Sequence, residues 1–457
     1  MIRWLAVLGV TSAVVVLSCP SAGAITPPEV DPTVAPPSGS AGPVTPMEQR
    51  GACVTSAAMP GTDPGATSPN TLALNLSGAW EYSRGEGQLV AVIDTGVQPG
   101  PRLPEVVAGG DFLGSTDGLT DCDGHGTLVA GLIAGRPGPD AFSGVAPAAR
   151  VLSIRQNSPR FAPAEPGDDP AVSRATVDSV SLARAIVRAA DLGARVINIS
   201  VVTCLPANKT VDQTELGAAL RYATRDKDAV VVAAAGNDEG GLTTGAACES
   251  NPPTDPGRPD DPRNWADVTT VSIPSYWQPY VLSVGALTAG GQPSQFSMAG
   301  PWLGIAAPGE NIVSLSNGAG GGLANGMPDD QGELFPLSGT SYAAAYVSGV
   351  AALVRSRYPQ LTADQVVRRL TATAHGGPRS PSSVVGAGSV DPVAALTWEL
   401  PAAPGPAAIS AKPVAAPLEP AAPDHTPRTV ALIGSGVLAL AVLAAVVVSR
   451  RRKDVPR

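Results

Sequence analysis

The sequence predicts an α/β fold in which helices flank a parallel sheet, together with an N-terminal extension and one C-terminal transmembrane helix. Short apolar runs rich in β-branched residues recur along the chain, and such runs form buried parallel strands. Amphipathic helical patterns separate several of these runs, which is typical of a parallel sheet. The chain has 457 residues, 44% hydrophobic and 15% charged, so it can bury a large core.

The apolar runs place the sheet and the edge at which a site is expected. The predicted strands are 88–94, 150–154, 195–200, 229–234 and 280–285. Apolar residues repeat at helical spacing in 179–192 and 215–224, and a helix of small residues begins near Ser341. Ligands of parallel sheets bind at the carboxyl ends of the strands. Asp94 ends the first predicted strand and Asn237 follows the fourth, so both are expected at that edge.

The N-terminus has the pattern of a secretory signal peptide, predicted at 1–24. Arg3 precedes a long apolar run, and Ala22-Gly23-Ala24 offers a cleavage site of small residues. An uncleaved anchor helix and a lipid anchor on Cys19 are alternatives. In each case the body of the chain is exported.

The C-terminus predicts a membrane anchor. Residues 430–449 are uncharged, and a helix of about 20 residues spans the ~30 Å hydrocarbon core of a bilayer. Arg450–Lys453 follow at once, and basic residues prefer the cytoplasmic side. We therefore expect a transmembrane helix at 429–449, a cytoplasmic tail at 450–457 and a body outside the cytoplasmic membrane. The Pro- and Ala-rich stretch 399–428 is predicted to be a semi-rigid linker.

Charge and motifs exclude several classes of function. The formal net charge is −9, which argues against a nucleic-acid partner because such proteins need a basic face. The sequence has no GxxxxGK[ST] loop and no CxxC pair, so nucleotide and zinc sites lack support. No cluster of metal ligands is recognisable. We predict no cofactor and no metal.

The cysteines predict disulfides in the exported body. Without Cys19, four cysteines remain, and an even count in an exported domain favours two disulfides. Three connectivities are possible. We favour Cys53–Cys122, which would tie the N-terminal extension beside His125, and Cys204–Cys248, which would close a local loop.

Two stretches carry residue types suited to nucleophilic catalysis. His125 stands between two glycines, which would let a substrate backbone approach closely. Gly339 permits a sharp turn before Ser341, and the start of the following helix suits a developing oxyanion. A base within hydrogen-bond reach of a hydroxyl is the basis of such catalysis. The other two histidines, His375 and His425, lie in loop-like contexts and are predicted to be non-catalytic.

Four motifs together resemble the subtilisin-like serine proteases. They are Asp94-Thr95-Gly96, His125-Gly126-Thr127-Leu128-Val129-Ala130-Gly131, Ala234-Ala235-Gly236-Asn237 and Gly339-Thr340-Ser341-Tyr342-Ala343-Ala344. The order Asp, His, Ser is that of the subtilases. The resemblance implies a subtilisin-like peptidase domain at 75–398, with Ser341 as nucleophile, His125 as general base and Asp94 as the residue that orients it. It also implies an oxyanion hole formed by the Asn237 side chain and the Ser341 backbone N–H.

The flanking segments narrow the resemblance to the mycosins, the membrane-anchored subtilases of type VII secretion systems. A signal peptide, a proline-rich extension and a single C-terminal helix occur together, and the motifs 296–302 and 306–310 are similar to those of the family. The resemblance implies that residues 25–74 wrap the protease domain and stay attached. A removable propeptide from Ile25 to about Ser68 is the alternative.

Three departures from the subtilase pattern bear on the groove. Ala345 stands where subtilases carry proline, and a small effect is expected because proline there is not chemically required. Val201-Val202-Thr203 replaces a glycine-containing segment and is expected to narrow the substrate groove. The insertion 156–178 is expected to be a flexible loop near the rim of the active site, or an inert surface insertion.

Three hypotheses on function follow. The first is a serine endopeptidase that works with the type VII secretion membrane complex and cleaves one or a few exported proteins. The second is a structural subunit that docks on the secretion machinery and stabilises it, with proteolysis dispensable. The third is a general surface protease.

Overall fold

The computed structural model describes residues 25–238, 243–245, 248–255, 257–258, 260–329, 331–377, 382–400 and 426–453. The predicted signal peptide, most of the predicted linker, the end of the predicted tail and His425 lie outside these residues. The chain divides into two compact units, one ending at Leu400 and the other following it.

The strands of the described residues are short. In chain order they are β1 (Met47–Gln49), β2 (Leu89–Asp94), β3 (Val106–Asp111), β4 (Arg150–Arg155), β5 (Phe161–Pro163), β6 (Val196–Ile199), β7 (Val202–Pro206), β8 (Val230–Ala234), β9 (Thr243–Gly245), β10 (Thr270–Ile273), β11 (Val281–Leu287), β12 (Leu303–Pro308), β13 (Ser314–Leu315), β14 (Leu323–Ala324), β15 (Gly326–Pro328), β16 (Leu334–Pro336), β17 (His375–Gly376) and β18 (Gly388–Ser389).

The helices lie mainly between the strands of the large sheet. They are α1 (Pro69–Ala73), α2 (Leu76–Ala79), α3 (His125–Ala134), α4 (Pro170–Asp191), α5 (Thr214–Arg221), α6 (Thr340–Arg357), α7 (Ala363–Ala372), α8 (Pro392–Thr397) and α9 (Thr426–Lys453). A π-helical turn (Tyr222–Asp226) continues α5, and a short 3-10 turn (Trp265–Asp267) precedes β10.

The large sheet has the strand order β17-β18-β12-β11-β8-β6-β2-β4-β3. Its strands pair in parallel except at one edge, where β17 and β18 are antiparallel. β2 lies inside the sheet between β6 and β4, and its residues from Val90 to Asp94 are buried. Helices α3 and α6 pack against each other, and both contact β2. The predicted α/β fold with a parallel sheet flanked by helices is therefore confirmed, with one antiparallel edge strand.

The predicted elements lie within one or two residues of the observed strands, but some strands were missed. The five predicted strands correspond to β2, β4, β6, β8 and β11. β3 has the sequence VVAGGD and β12 the sequence LGIAAP, and their glycine, alanine and proline residues have low strand propensity. They form strands because the neighbouring strands offer free hydrogen-bonding edges within the core.

The insertion 156–178 is not a flexible loop, so that expectation was wrong. Its strand β5 pairs with β1 of the extension. Asp169 caps α4, and Pro170 occupies the first turn, where its missing N–H costs nothing. Arg174 donates to the carbonyl of Phe161 and to the carboxylate of Asp178, which ties the strand to the helix. The proline and aspartate residues thus begin a helix.

The N-terminal extension is bonded to the body at several points. Besides the β1–β5 pairing, the N–H of Val54 donates to the carbonyl of Cys122 at 2.9 Å. Ala57 pairs with Gly326 at the edge of the β15–β16 hairpin. The structure bonds Cys53 to Cys122 and Cys204 to Cys248, the two pairs that the sequence favoured.

The C-terminal unit contains α9. Within its first 24 residues, Thr426–Ser449, the most apolar stretch of 18 residues has a mean hydropathy of 2.7, and no other helix of the described chain is both long and apolar enough to cross a membrane. At ~1.5 Å per residue this segment is about 36 Å long, which exceeds the ~30 Å hydrocarbon core.

Removing the disulfide of the extension should destabilise the protein. The bond closes a loop of 69 residues, and the entropy of that loop in the unfolded chain corresponds to about 4 kcal/mol. We expect the double substitution Cys53→Ser and Cys122→Ser to lower the free energy of unfolding by an amount of this order, measured by urea denaturation of the full chain in detergent. An unchanged urea midpoint would contradict an anchoring role for this bond.

Candidate functional site

Three side chains from distant parts of the chain meet at the carboxyl edge of the large sheet. Asp94 is the last residue of β2, His125 is the first residue of α3, and Ser341 lies in the first turn of α6. Because α3 and α6 pack together over β2, the beginnings of both helices lie beside the end of that strand. The three side chains are 0%, 2% and 6% exposed respectively.

The three side chains form one hydrogen-bonded chain. His125 Nδ1 lies 2.7 Å from Asp94 Oδ1, and His125 Nε2 lies 2.9 Å from Ser341 Oγ. A carboxylate only accepts hydrogen bonds, so Nδ1 carries the proton. In the neutral imidazole Nε2 is then the acceptor for the hydroxyl of Ser341. The imidazole is oriented so that it can take a proton from that hydroxyl.

A turn centred on Asp121 holds the beginning of α3. One oxygen of the Asp121 carboxylate accepts from the backbone N–H of Gly124 and from Thr95 Oγ1, both at 2.8 Å. The other accepts from the backbone N–H and hydroxyl of Thr127. Asp121 therefore links the segment after Asp94 to the first turn of the helix that carries His125. The sequence analysis missed this role, although an aspartate just before a helix start is a capping signal.

The buried carboxylates set the charge of the imidazole. Burial alone lowers the pKa of His125, but Asp94, followed by Asp121 and Asp123, outweighs burial and raises this pKa above its ordinary value. Burial raises the pKa of Asp121 and raises that of Asp123 to about 6. The site therefore stabilises the imidazolium that forms when His125 accepts a proton.

Gly126 allows the helix to approach the strand. A side chain at Gly126 would begin 2.0 Å from the carbonyl oxygen of Gly96, closer than any real contact. At Gly124, φ is +74° and a side chain would meet Asn317. The two glycines beside His125 therefore serve internal packing and backbone conformation. That they also let a substrate backbone approach closely stays a prediction.

Asn237 lies beside the beginning of α6. Its Oδ1 accepts from the N–H and hydroxyl of Thr340 at 2.9 and 3.0 Å. The amide is thereby oriented with Nδ2 as its remaining donor group. Nδ2 lies on the Gly339 side, 3.5 Å from the point where a side chain at Gly339 would begin. The sequence placed this asparagine correctly after β8, and the positive φ of Gly236, +110°, makes the turn that points it to α6.

A second buried polar chain supports the backbone of Ser341. Ser348 Oγ donates to Asn198 Oδ1 at 2.9 Å, and Asn198 Nδ2 donates to Ser200 Oγ at 2.6 Å. Ser200 Oγ in turn donates to the carbonyl of Ser341 at 3.2 Å. Sequence reasoning missed this chain. Its signal is the two polar residues of the buried run Val196-Ile-Asn-Ile-Ser200.

The strand beside the site is paired on both edges. β7 lies between β10 and β9, and Val201, Val202 and Thr203 are buried. That these side chains narrow the groove stays a prediction.

Ala345 is fully buried inside α6, which continues unbroken past it to Arg357. The absence of proline there leaves the helix regular.

Asn317 joins the extension to the turn before His125. Its Nδ2 donates to the carbonyls of Val54 and Asp121 at 2.9 and 3.1 Å, and its Oδ1 accepts from the N–H of Ser56 at 3.0 Å. Together with the Cys53–Cys122 bond, it attaches the extension close to His125 in the sequence.

His375 is exposed and distant in the fold, at the antiparallel edge of the sheet.

Among the described residues, no group of three His, Cys, Asp or Glu side chains is arranged to hold a metal ion.

Comparison with known proteins identifies the family. The profile of the subtilase family matches residues 85–388. Mycosin-3 of Mycobacterium tuberculosis is 66% identical over 438 residues, which cover 95% of each chain. The chain belongs to the subtilases and, among them, to the mycosins. It is a serine endopeptidase.

Solved structures agree with this assignment. The MycP3 protease of the type VII (ESX-3) secretion system is 71% identical, with a TM-score of 0.79 over 82% of this chain and all of that one. A chain of the intact ESX-5 inner membrane complex is 46% identical, with a TM-score of 0.79 over 94% of this chain and all of that one. The similarity to solved structures thus covers most of this chain.

Adding a methyl group at Gly126 should displace the helix that carries His125. We expect Gly126→Ala to destabilise the protein by about 1–3 kcal/mol, because its Cβ would overlap the carbonyl of Gly96. Thermal unfolding of the full chain in detergent measures the effect. Gly100→Ala is the matched control, since nothing lies within 4 Å of its added methyl group. Equal stability of the two variants would show that the Gly126 contact is unimportant.

Proposed function

We propose that Asp94, His125 and Ser341 are the catalytic triad of this mycosin. The observation that carries the proposal is the chain of two hydrogen bonds, 2.7 and 2.9 Å long, that joins the three side chains. In the acylation step, Ser341 Oγ attacks a peptide carbonyl while His125 Nε2 takes its proton. His125 then gives that proton to the leaving amine as the C–N bond breaks, and water releases the acyl group by the same route.

The oxyanion would bind beside the nucleophile. Asn237 Nδ2 and the backbone N–H of Ser341 are the proposed donors. The N–H groups of the first turn of a helix have no partner inside the helix, so that of Ser341 is available. The Ser348–Asn198–Ser200 chain supports this proposal because it holds the carbonyl of Ser341, and thereby its peptide plane, in place.

The setting of the reaction is proposed from the relatives and the termini. Structures similar to this chain come from ESX-3, ESX-1 and ESX-5 type VII secretion systems. We infer that this chain associates with a type VII secretion membrane complex and cleaves one or a few exported proteins. Helix α9 would anchor it, with the basic residues 450–453 in the cytoplasm and the protease domain outside.

The N-terminal segment 25–74 is proposed to stay attached to the peptidase domain, 75–398. Its disulfide to Cys122, its pairing with β5 and its contacts with Asn317 support this arrangement. Release of the segment as a propeptide would require the loss of all three. The signal peptide at 1–24 and the linker at 399–428 complete the proposed organisation.

The structural role is the second candidate. It is favoured by one observation, that relatives with 46–47% identity form part of the ESX-5 inner membrane complex and its periplasmic assembly. Docking and proteolysis can coexist in one chain. A general surface protease, the third hypothesis, has no comparable observation in its favour.

Reaction with a fluorophosphonate probe tests the triad without knowledge of the substrate. We expect the full chain in detergent to be labelled at Ser341, as located by peptide mapping. His125→Ala should abolish labelling, and Asn237→Ala should slow it by about 10²–10³ because one oxyanion donor is lost. Because the pKa of His125 is raised and only the neutral imidazole is a base, labelling should become faster as the pH rises through that pKa.

His375→Ala is the control for the loss of a histidine, because His375 is exposed and far from the site. Labelling of this variant should equal that of the unchanged protein. Folded protein that is not labelled at any pH would rule out a competent triad and favour the structural role.

Substitution of the nucleophile in cells separates the two candidate roles. With Ser341→Ala at normal protein levels, an essential proteolytic role predicts loss of secretion or of substrate processing. Normal secretion with unprocessed substrate would assign cleavage to the triad and transport to docking. Normal secretion and normal processing would contradict the proposed protease role in this pathway.

A further inference from the structure

Arg263 is a partly buried cation that forms no ion pair among the described residues. Its guanidinium makes one hydrogen bond within the described chain, from Nη2 to the carbonyl of Leu303 at 2.8 Å. Its Nε is buried and has no hydrogen-bond partner. Burial lowers the pKa of Arg263, and no carboxylate in the described part of the chain opposes this effect. A desolvated charge without a counter-ion is costly, so this position calls for an explanation.

Other buried or partly buried arginines of this protein have an aspartate or backbone carbonyls as partners. Arg155, Arg174 and Arg355 are each paired with an aspartate, namely Asp111, Asp178 and Asp228 respectively. Arg188 lacks such a pair, but it donates to two backbone carbonyls, one of them from Nε. The Nε atoms of Arg155 and Arg355 also lack a hydrogen-bond partner among the described residues, so what sets Arg263 apart is that no described carboxylate pairs with its guanidinium.

Arg263 lines a cavity of about 270 Å³. The other polar side chains of the cavity are those of Gln278 and Thr371. Gln278 already donates to the carbonyl of Trp302, and Thr371 to carbonyls of its own helix. The remaining wall is mostly apolar and is formed by Pro279, Val281, Leu282, Leu303, Gly304, Val367 and Ala387. A few placed polar groups in an apolar wall are typical of ligand sites.

We propose that this cavity is a binding site for a carboxylate carried on a short aliphatic body. The guanidinium fork matches a carboxylate in geometry and charge, and the apolar wall matches the aliphatic part. An acidic side chain of a partner protein and a free short-chain carboxylate share this chemistry.

The cavity is separate from the catalytic centre. Its wall includes the first residues of β11 and β12. By contrast, Asp94 is the last residue of β2, and Ser341 lies in the first turn of α6, at the carboxyl edge of the sheet. A parallel sheet presents its two ends on opposite sides, and β11 alone, with 7 residues, is roughly 23 Å long. Occupation of the cavity would therefore leave the triad accessible.

Ligand-observed NMR titration of the full chain in detergent tests the proposal with matched probes. Sodium butanoate should bind saturably, whereas butanamide, which has the same shape without the charge, should bind about tenfold more weakly or not at all. Ionic strength is held constant with sodium chloride. Arg263→Gln should weaken butanoate binding by about tenfold or more. Arg258→Gln is the control, because Arg258 lies in the same segment but pairs with Asp267.

A second variant guards against misfolding of Arg263→Gln. Val367→Phe should fill the cavity from α7 without touching the charge, and it should also abolish butanoate binding. Equal binding of butanoate and butanamide would overturn the proposal. So would unchanged butanoate affinity in both Arg263→Gln and Val367→Phe.

Blocked peptides distinguish the two sources of the carboxylate. N-acetyl-Leu-Glu-Leu-amide is compared with its Gln counterpart in the same titration. Binding of the Glu peptide more tightly than butanoate would identify a protein side chain as the ligand. Tighter binding of butanoate would identify a free carboxylate. Labelling of Ser341 by the fluorophosphonate probe should be the same in Arg263→Gln as in the unchanged protein, so the two proposals fail or hold independently.

Discussion

The close packing of Gly126 on the carbonyl of Gly96 is the contact on which the geometry of the Asp94–His125–Ser341 site depends. It brings the first turn of α3 against the segment that follows Asp94, where a single methyl group would not fit. His125 and Asp94 are 31 residues apart in sequence, and His125 and Ser341 are 216 apart, yet their polar atoms lie within 3 Å. Only a dense interface between helix and strand holds such distances without side-chain freedom.

Three buried aspartates lie around this contact, and each has a different role. The carboxylate of Asp94 is hydrogen-bonded to the imidazole. The carboxylate of Asp121 accepts hydrogen bonds from the backbone and hydroxyl groups that form the turn. Asp123 faces Ser158, and burial raises its pKa to about 6. The extension is fastened to this same turn through Cys53 and through Asn317. The stability of the extension and the orientation of His125 therefore rest on one short segment, 121–124.

The two ends of the sheet differ in their chemistry. At the carboxyl ends of the strands, the carboxylates of Asp94 and Asp121 each take part in two or more hydrogen bonds with groups of the site. At the amino-terminal ends of β11 and β12, the guanidinium of Arg263 makes one hydrogen bond among the described residues and lines a cavity. Polar groups that a fold leaves unsatisfied are informative because most buried groups are satisfied.

Local sequence was sufficient to predict much of the architecture and to select the candidate site residues that the fold brings together. The apolar β-branched runs predicted β2, β4, β6, β8 and β11, since such runs favour strands in any buried setting. The sequence motifs indicated which residues belong to the candidate site, namely Asp94, His125, Asn237 and Ser341. β3 and β12 escaped prediction because glycine, alanine and proline become strands only when a neighbouring edge pairs with them.

The tertiary structure alone decided the roles that depend on distance. It turned the insertion 156–178 into a strand and a helix, because β1 and Arg174 provide bonding partners from elsewhere. It also brought Asn317 to the turn at Asp121 across 196 residues of chain. The pattern of side chains along a chain determines which groups are reactive and which are apolar. Whether two of them lie 3 Å apart is decided by packing among segments that sequence order does not connect.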